Sequence, residues 1–179
     1  MPEIEVRSIR PDDIETLVEF EHGYYSEYVW QMSLDITDET AQSEFRRVRL
    51  PRRVFVPYPR KRTAVFDDFE QAEALLVADL NARSVGYIKV YAEAGSDVAR
   101  VTDLVVTSSM RRQGIASGLL LAALDLVTYR RFHTLIFEMQ SKNDPAIQLA
   151  AKLGFSFCGF RDYFYPNQEL ALFFSRYAR

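Results

Sequence analysis

Small and basic residues lie together where an apolar run gives way to a helix-like run. The apolar triplet at 104–106 is followed by Arg111, Arg112, Gly114 and Ala116. A helix N-terminus that follows a tight loop presents unpaired backbone N–H groups and the positive end of the helix dipole, and so binds anions. Glycine and alanine let an anion approach the backbone closely, and the arginines add positive charge at the rim. This spacing indicates a phosphate site.

The spacing differs from that of the common nucleotide-binding loops. A P-loop requires a glycine-rich run ending in Gly-Lys-Ser/Thr, and the dinucleotide fingerprint requires three glycines in G-x-G-x-x-G. The chain instead carries Arg-x-x-Gly-x-Ala at 111–116. On this pattern alone, an ordinary helix start with two solvated arginines stays an alternative.

The elements that must position this site follow from hydrophobic periodicity. Strands are predicted at 4–10, 72–80, 84–94, 100–106, 134–140, 155–165 and 169–177, and helices at 11–20, 114–129 and 143–155. In the last helix Asp144 is the expected N-cap and Pro145 the first helical residue. Residues 21–68 are rich in proline and aromatic side chains, so we expect loops there, with a short helix at 37–50 as an option. The mixture of strands and helices predicts an α/β or α+β fold.

Composition limits the domain organisation and the partners. The 179 residues, 48% of them hydrophobic, suffice for one core, so we expect a single domain over residues 1–179. The net charge of -3 gives no general attraction to nucleic acid or membrane, and we expect neither partner. A single cysteine, Cys158, excludes an intrachain disulfide, and two histidines are too few for a zinc site, so no metal is expected. Without a signal-peptide or membrane-span pattern, a cytoplasmic protein is predicted.

A basic segment at 46–62 differs from this overall charge. It contains Arg46, Arg47, Arg49, Arg52, Arg53, Arg60, Lys61 and Arg62. A solvated face explains it most simply. An anionic acceptor, or a nucleic acid bound with a strong salt dependence, stays an alternative.

Two segments, in their order along the chain, resemble the GNAT superfamily of N-acetyltransferases. The run "LVVTSSMRRQGIASGLLLAAL" is similar to motif A of that family, in which Arg/Gln-x-x-Gly-x-Gly/Ala follows a strand. The run "TLIFEMQSKNDPAIQLAAKLGF" is similar to motif B, and residues 4–20 resemble the family's first strand and helix. Parts of 138–174 are also locally similar to streptothricin-type acetyltransferases. The resemblance implies a GNAT fold, with a mixed central sheet of about six to seven strands and helices on both faces.

By this resemblance the cofactor is acetyl-CoA. The backbone of Leu104, Val105 and Val106 would hydrogen-bond the pantetheine arm, with an N–H near Val106 polarising the thioester carbonyl. Asn143 would contact the cofactor arm, and a turn role is its alternative. The residues that would hold the pyrophosphate are Arg111, Arg112, Gln113, Gly114, Ile115, Ala116 and Ser117.

Candidates for proton transfer are fewer. Asp103 is a candidate base, although strict alternation turns it to the opposite face of its strand unless a bulge intervenes. Tyr163 or Tyr165 is a candidate acid that protonates the leaving thiolate, and packing in the core is the alternative for each.

The resemblance implies direct attack of an amine of a small molecule or protein on the acetyl thioester, with both substrates bound together. Positions that often carry Glu or His in relatives are here Arg100 and Thr102, and the place of a motif B tyrosine is Ala150. These departures leave a CoA-binding regulator without turnover as an alternative. Whether the chain forms a homodimer stays open. The acceptor would lie near the aromatic residues Tyr24, Tyr25, Tyr28 and Trp30 and the strand at 163–165.

Overall fold

The computed structural model describes residues 4–67 and 69–178 and contains a seven-stranded mixed sheet. Its strands lie in the order β1-β4-β5-β6-β7-β9-β8. The strands are β1 (Glu5–Ser8), β4 (Ala74–Leu80), β5 (Arg83–Ala92), β6 (Val98–Val106), β7 (Thr134–Gln140), β8 (Ser156–Arg161) and β9 (Ala171–Tyr177). Neighbouring strands are antiparallel except β6 and β7, which are parallel. The predicted meander of β4, β5 and β6 is confirmed.

Helices pack on both faces of this sheet, as the fold prediction required. The helices are α1 (Asp13–Val18), α2 (Ile115–Tyr129) and α3 (Asp144–Lys152). On one face, buried residues of α2 such as Leu119, Leu120 and Ala123 join a core that also takes Ile147 of α3. On the other face, Leu17 of α1 joins a smaller core. The four-residue spacing of Leu119, Ala123 and Val127 explains why this stretch is helical, because it places all three on one side.

Residues 24–56 form a long β-hairpin, so the prediction of loops, or a short helix, at 21–68 is wrong for this part, while residues 57–61 do lie outside any helix or strand. Strands β2 (Tyr24–Ile36) and β3 (Ala41–Val56) pair antiparallel as a separate two-stranded sheet. Asp68 lies outside the described residues. The alternation of Trp30, Met32, Leu34 and Ile36 with polar residues is a strand pattern, and the prolines and arginines of the region obscured it.

An ion pair joins this hairpin to the start of α3. Arg47 donates two hydrogen bonds to the Asp144 carboxylate, at 2.7 and 2.8 Å, and its guanidinium lies 3.6 Å from the centre of the Tyr28 ring. Trp30 donates to the same carboxylate at 3.3 Å. Asp144 is therefore a hairpin contact and not the predicted N-cap. The N-cap is Asn143, whose side-chain oxygen accepts from the Ala146 N–H.

Replacing Arg47 tests what this contact contributes. We expect Arg47→Met to lower the free energy of unfolding by about 1–3 kcal/mol at pH 7, because the buried Asp144 loses its main donor. Burial raises the pKa of Asp144, but the hydrogen bonds from Arg47 and Trp30 outweigh it and hold that pKa below its usual value. The contribution is thus present above about pH 4 and is lost as the pH falls through the folded-state pKa.

Urea unfolding at pH 7 and in acid measures this effect. The matched control is Arg46→Met, because Arg46 is 70% exposed and its ion pair is with the exposed Glu44. Equal losses for the two variants at pH 7 would show that the Arg47 contact contributes nothing specific.

Candidate active site

A cleft opens where β6 and β7 separate. Sheet pairing between them runs from Val98 with Thr134 to Val101 with Phe137 and then ends. Beyond this point 102–106 of β6 and 138–140 of β7 line a cleft of about 420 Å³. The cleft is continuous from the start of α2 to the buried side chains near Asp103.

The open edge of β6 offers backbone groups to this cleft. The N–H of Thr107 bonds to Val85 on β5, and residues along an antiparallel strand direct their backbone groups alternately to its two edges. Leu104 and Val106 therefore direct their N–H groups away from β5, toward the side where β7 has separated. All three residues of the predicted triplet, Leu104, Val105 and Val106, line the cleft.

The other end of the cleft is the start of α2, which we call the anion cradle (residues 111–117). Gly114 is the N-cap, with φ of 89°, and no side chain caps the helix. The positive φ explains the glycine, because other L-residues are strained there. The first-turn N–H groups of this 15-residue helix are thus left for a ligand. Of the seven predicted residues, the cleft is lined by Arg111, Arg112, Gly114, Ile115, Ala116 and Ser117, with Gln113 outside the lining.

Arg111 differs from the expected free cation at the rim. Its guanidinium donates to the backbone oxygens of Val106 at 3.0 Å, Glu21 at 2.5 Å and Gly23 at 2.9 Å. It therefore connects the end of β6 to the segment before β2. Its main role is to shape the cradle, because backbone oxygens already occupy its N–H groups. Arg112 is exposed and has a φ of 66°.

The sequence left two alternatives for Asn143, a turn role and a contact with the cofactor arm. Its side chain caps α3, as described above, and the residue also lines the cleft beside Pro145 and Ala146. The start of α3 thus forms the wall opposite the open edge of β6.

A β-bulge decides the orientation of Asp103. Lys89 of β5 pairs with Asp103, but the next residue, Val90, pairs with Val101, so Thr102 is an extra residue in β6. The bulge places Asp103 on the opposite face from Val101 and on the same face as Arg100, while the regular pairing beyond it keeps Asp103 on the opposite face from Val106. It lines the cleft at 5% exposure. Its Oδ2 accepts from the Thr102 hydroxyl at 2.7 Å, while Oδ1 is buried with no hydrogen-bond partner among the described residues.

Around Asp103 lies a charged cluster of Arg60, Arg100, Asp103 and Glu138. Arg60 pairs with Glu138, donates to the Thr102 carbonyl at 3.0 Å and lies 3.5 Å from Asp103 Oδ1. Arg100 lies 3.7 Å from the other Glu138 oxygen. Burial, with a smaller contribution from the Glu138 charge, raises the pKa of Asp103 to about 8.

The two candidate tyrosines lie in different environments. Tyr165 lines the cleft at 4% exposure, and burial, then the Glu138 charge, raises the pKa of its hydroxyl well above its usual value. Tyr163 is 71% exposed and lies outside the cleft lining.

Sequence reasoning missed several polar residues of the cleft. Glu138 had a usable signal, since it is a lone carboxylate inside an otherwise apolar strand. Tyr58 and His22 had none. The Tyr58 hydroxyl is buried without a partner among the described residues, and its ring meets His22 edge-on at 5.1 Å. The basic segment is divided, because Arg60 enters the cleft, Arg47 contacts α3 and Arg46 is exposed.

The residues present fit a CoA thioester. A cradle of unpaired helix N–H groups suits a pyrophosphate, and an open strand edge suits an extended amide-containing arm. Within residues 4–67 and 69–178, no cluster of three or more His, Cys, Asp or Glu is arranged to hold a metal ion. Over that same part of the chain, no helix is long and apolar enough to cross a membrane.

Fold and site together define an acyl-CoA-dependent acyltransferase. The family model described as Acetyltransferase (GNAT) family matches residues 35–155, and the chain belongs to this family. Its members use acetyl-CoA and act on amines of small molecules or proteins, so the chain is an acetyl-CoA-dependent acyltransferase. No curated protein matches the chain significantly in sequence.

Solved structures agree on the fold. A nourseothricin acetyltransferase has a TM-score of 0.81 at 20% identity, covering 98% of this chain and 99% of its own. A putative streptothricin acetyltransferase from Bacillus anthracis str. Ames, in complex with acetyl coenzyme A, has a TM-score of 0.77 at 17% identity, covering 98% and 97%. The ribosomal-protein-S18-alanine N-acetyltransferase from Escherichia coli has a TM-score of 0.67 at 18% identity, covering 98% and 94%.

Proposed function

We propose that this protein transfers the acetyl group of acetyl-CoA to an amine by direct attack, with both substrates bound in the cleft between β6 and β7. The observation that carries the proposal is the continuity of this cleft. It joins the anion cradle to the buried carboxylate of Asp103, so a donor and an acceptor can meet without leaving it. Acetyl-CoA supplies the activated acetyl thioester, and the products are the acetylated amine and the free thiol.

The chain's own groups hold the donor at two places. The first-turn N–H groups of the anion cradle bind the pyrophosphate, and the N–H groups of Leu104 and Val106 bind the arm. The Val106 N–H then offers a hydrogen bond to the thioester carbonyl oxygen as negative charge develops there. Arg111 supports both places, because it links the end of β6 to its neighbours.

Asp103 accepts the proton of the attacking amine at Oδ1 in this proposal. An amine must be neutral to attack, so a base is needed that is unprotonated at the working pH. With a pKa of about 8, Asp103 binds the proton more strongly than an ordinary carboxylate does. Its Oδ1 has no hydrogen-bond partner among the described residues, although Arg60 lies 3.5 Å away, so this oxygen keeps a lone pair that can accept a proton. We expect activity to rise with pH through about 8.

Tyr165 holds the proton that the leaving sulfur requires. Its raised pKa keeps the hydroxyl protonated throughout the working range, so it can donate a hydrogen bond to the leaving sulfur, with the proton following as negative charge builds there, and it cannot act as a base. Tyr165 lines the same cleft as Asp103.

Replacing each tyrosine by phenylalanine decides between the two candidate acids. We expect Tyr165→Phe to lower kcat by about 10-fold to 100-fold, at or below the lower end of the range for proton-transfer effects, because water can substitute for the hydroxyl. Tyr163→Phe is the matched control, since Tyr163 is exposed, and it should leave kcat within about twofold. Steady-state kinetics with thiol detection measures both. A larger loss for Tyr163→Phe would reverse the assignment.

The acceptor end of the cleft suits an amine. The carboxyl groups of Asp103 and Glu138 offer acceptors for its N–H groups, and the rings of Tyr24, Tyr58 and Tyr165 line the same space. Two structural neighbours are named for nourseothricin and streptothricin, and a third for an alanine of ribosomal protein S18. A panel of acceptors should therefore contain both small-molecule amines and a peptide.

The test mixes the protein with acetyl-CoA and this panel while free thiol is monitored. The proposal predicts acceptor-dependent thiol release and a mass increase of one acetyl group on the amine. The panel contains streptothricin-class compounds, simple diamines and a peptide with a free N-terminal alanine. Tight acetyl-CoA binding without thiol release in the presence of any acceptor of the panel would instead support a CoA-binding regulator.

A further inference from the structure

Arg60 has contacts in the cleft that the proposed mechanism does not use. Arg60 directly follows Pro59, in a segment outside any helix or strand in which Pro57 and Pro59 flank Tyr58. Its side chain is 26% exposed. Its guanidinium reaches both buried carboxylates, pairing with Glu138 and lying 3.5 Å from Asp103 Oδ1. A buried glutamate next to a buried aspartate opposes ionisation of both, because like charges in a water-poor site repel strongly. Arg60 is the group that relieves this repulsion.

We propose that Arg60 is a positioning residue that, through its ion pair with Glu138 and its place beside Asp103, controls the protonation state of Asp103, and with it the pH range of turnover. The inference rests on the proposed function, in which Asp103 is the base. When Arg60 neutralises Glu138, Asp103 ionises in a site that carries little net charge. When Arg60 is absent, only the more distant Arg100 offsets the Glu138 charge, and Asp103 keeps its proton to higher pH.

The surroundings of Asp103 leave Arg60 as the cation best placed for this role. Arg100 reaches Glu138 only at 3.7 Å and is also paired with Glu93. Lys89, the β5 partner of Asp103, donates to the Val65 carbonyl. The other polar side chains that line this end of the cleft include no cation at neutral pH. They are Thr102, Tyr24, Tyr58, Gln140, Tyr165 and His22, whose pKa burial lowers.

The experiment measures the pH dependence of kcat/KM and, separately, the titration of the Asp103 carboxyl by carbon NMR, with Asp103→Asn identifying the signal. We expect Arg60→Gln to move both midpoints upward by about one pH unit or more, and Glu138→Gln to move them downward by a similar amount. The double variant should lie between the two single variants. Arg60→Lys should restore the midpoint toward that of the original protein, because it restores the charge.

Arg60 and Glu138 should shift the pH midpoints in opposite directions when replaced, and a merely structural role for this ion pair would not produce that result. If Arg60 only packed the loop, the two variants would lose activity with unchanged midpoints, or shift them in the same direction, and the inference would be wrong. The matched control is Arg62→Gln, two residues further on, whose guanidinium contacts only the Phe20 carbonyl among described groups. It should leave both midpoints unchanged. Retained acetyl-CoA affinity verifies folding of each variant.

The two readouts separate this inference from the function on which it rests. If the carboxyl titration shifts as expected while kcat/KM does not follow it, Arg60 controls Asp103 but Asp103 is not the base. If the titration does not shift, the inference fails whatever the kinetics show.

Discussion

Asp103→Asn should lower kcat by about 100-fold to 10,000-fold, the range that general-base catalysis contributes, while acetyl-CoA affinity stays unchanged. Asparagine has the same shape but cannot accept the proton of the amine. The rise of activity through about pH 8 should disappear with the carboxylate. Rapid-mixing kinetics and calorimetric titration with acetyl-CoA separate the two parts of this prediction.

The same substitution should stabilise the fold at alkaline pH. Because the pKa of Asp103 is raised in the folded state, that state binds the proton more tightly, and the free energy of unfolding falls as the pH rises from about 4 to about 8. Asparagine has no proton to lose, so this pH-dependent decrease disappears. Urea unfolding at pH 8 should therefore give a higher free energy of unfolding for the variant than for the original protein. Asp125→Asn, at an exposed position of α2, is the matched control for both measurements. Full turnover by a folded Asp103→Asn variant would exclude Asp103 as the base.

Ser117→Glu should abolish useful acetyl-CoA binding, with a loss of affinity of about 100-fold or more. Ser117 lies in the first turn of α2 and lines the anion cradle. A carboxylate there competes with the pyrophosphate for the same N–H groups, and like charges about 4 Å apart repel by about 4 kcal/mol near a protein surface before screening. Calorimetric titration with CoA measures the loss.

The helix itself should tolerate Ser117→Glu. A negative side chain in the first turn interacts favourably with the helix dipole, so the thermal midpoint should stay the same or rise slightly. Tyr129→Glu adds the same charge at the far end of α2, where the residue is 88% exposed, and should leave CoA affinity unchanged. If Ser117→Glu binds CoA normally, the anion cradle is not the pyrophosphate site.

The donor side of the site follows from local sequence, and this explains why it was predictable. The strand, the Gly114 turn and the helix are consecutive, so spacing alone brings Val106, Gly114 and Ser117 to one place. The same holds for the predicted meander and for the strand and helix at 134–152. The exact N-cap of α3 was missed by one residue, because Asn143 and Asp144 are both good caps and only the contact with Arg47 separates them.

The acceptor side depends on contacts between distant residues, and sequence reasoning could not supply them. Arg60 reaches Glu138 across 78 positions, and Arg47 reaches Asp144 across 97. The orientation of Asp103 depends on a one-residue bulge that leaves no clear mark in the sequence. The hairpin at 24–56 was missed for another reason: it carries a genuine alternation, but its exposed arginines and Pro51 are unusual for a paired strand.

The separation of β6 from β7 also bears on how the protein behaves before it meets its cofactor. An unpaired strand edge is a template to which another chain can add through main-chain hydrogen bonds, a common start of aggregation. Here the open edge lies inside a cleft walled by α3 and by the segment that carries Arg60, while the outer strands of the sheet are β1 and β8. The protein thus keeps a strand edge accessible to a slender ligand and withholds it from other copies of itself.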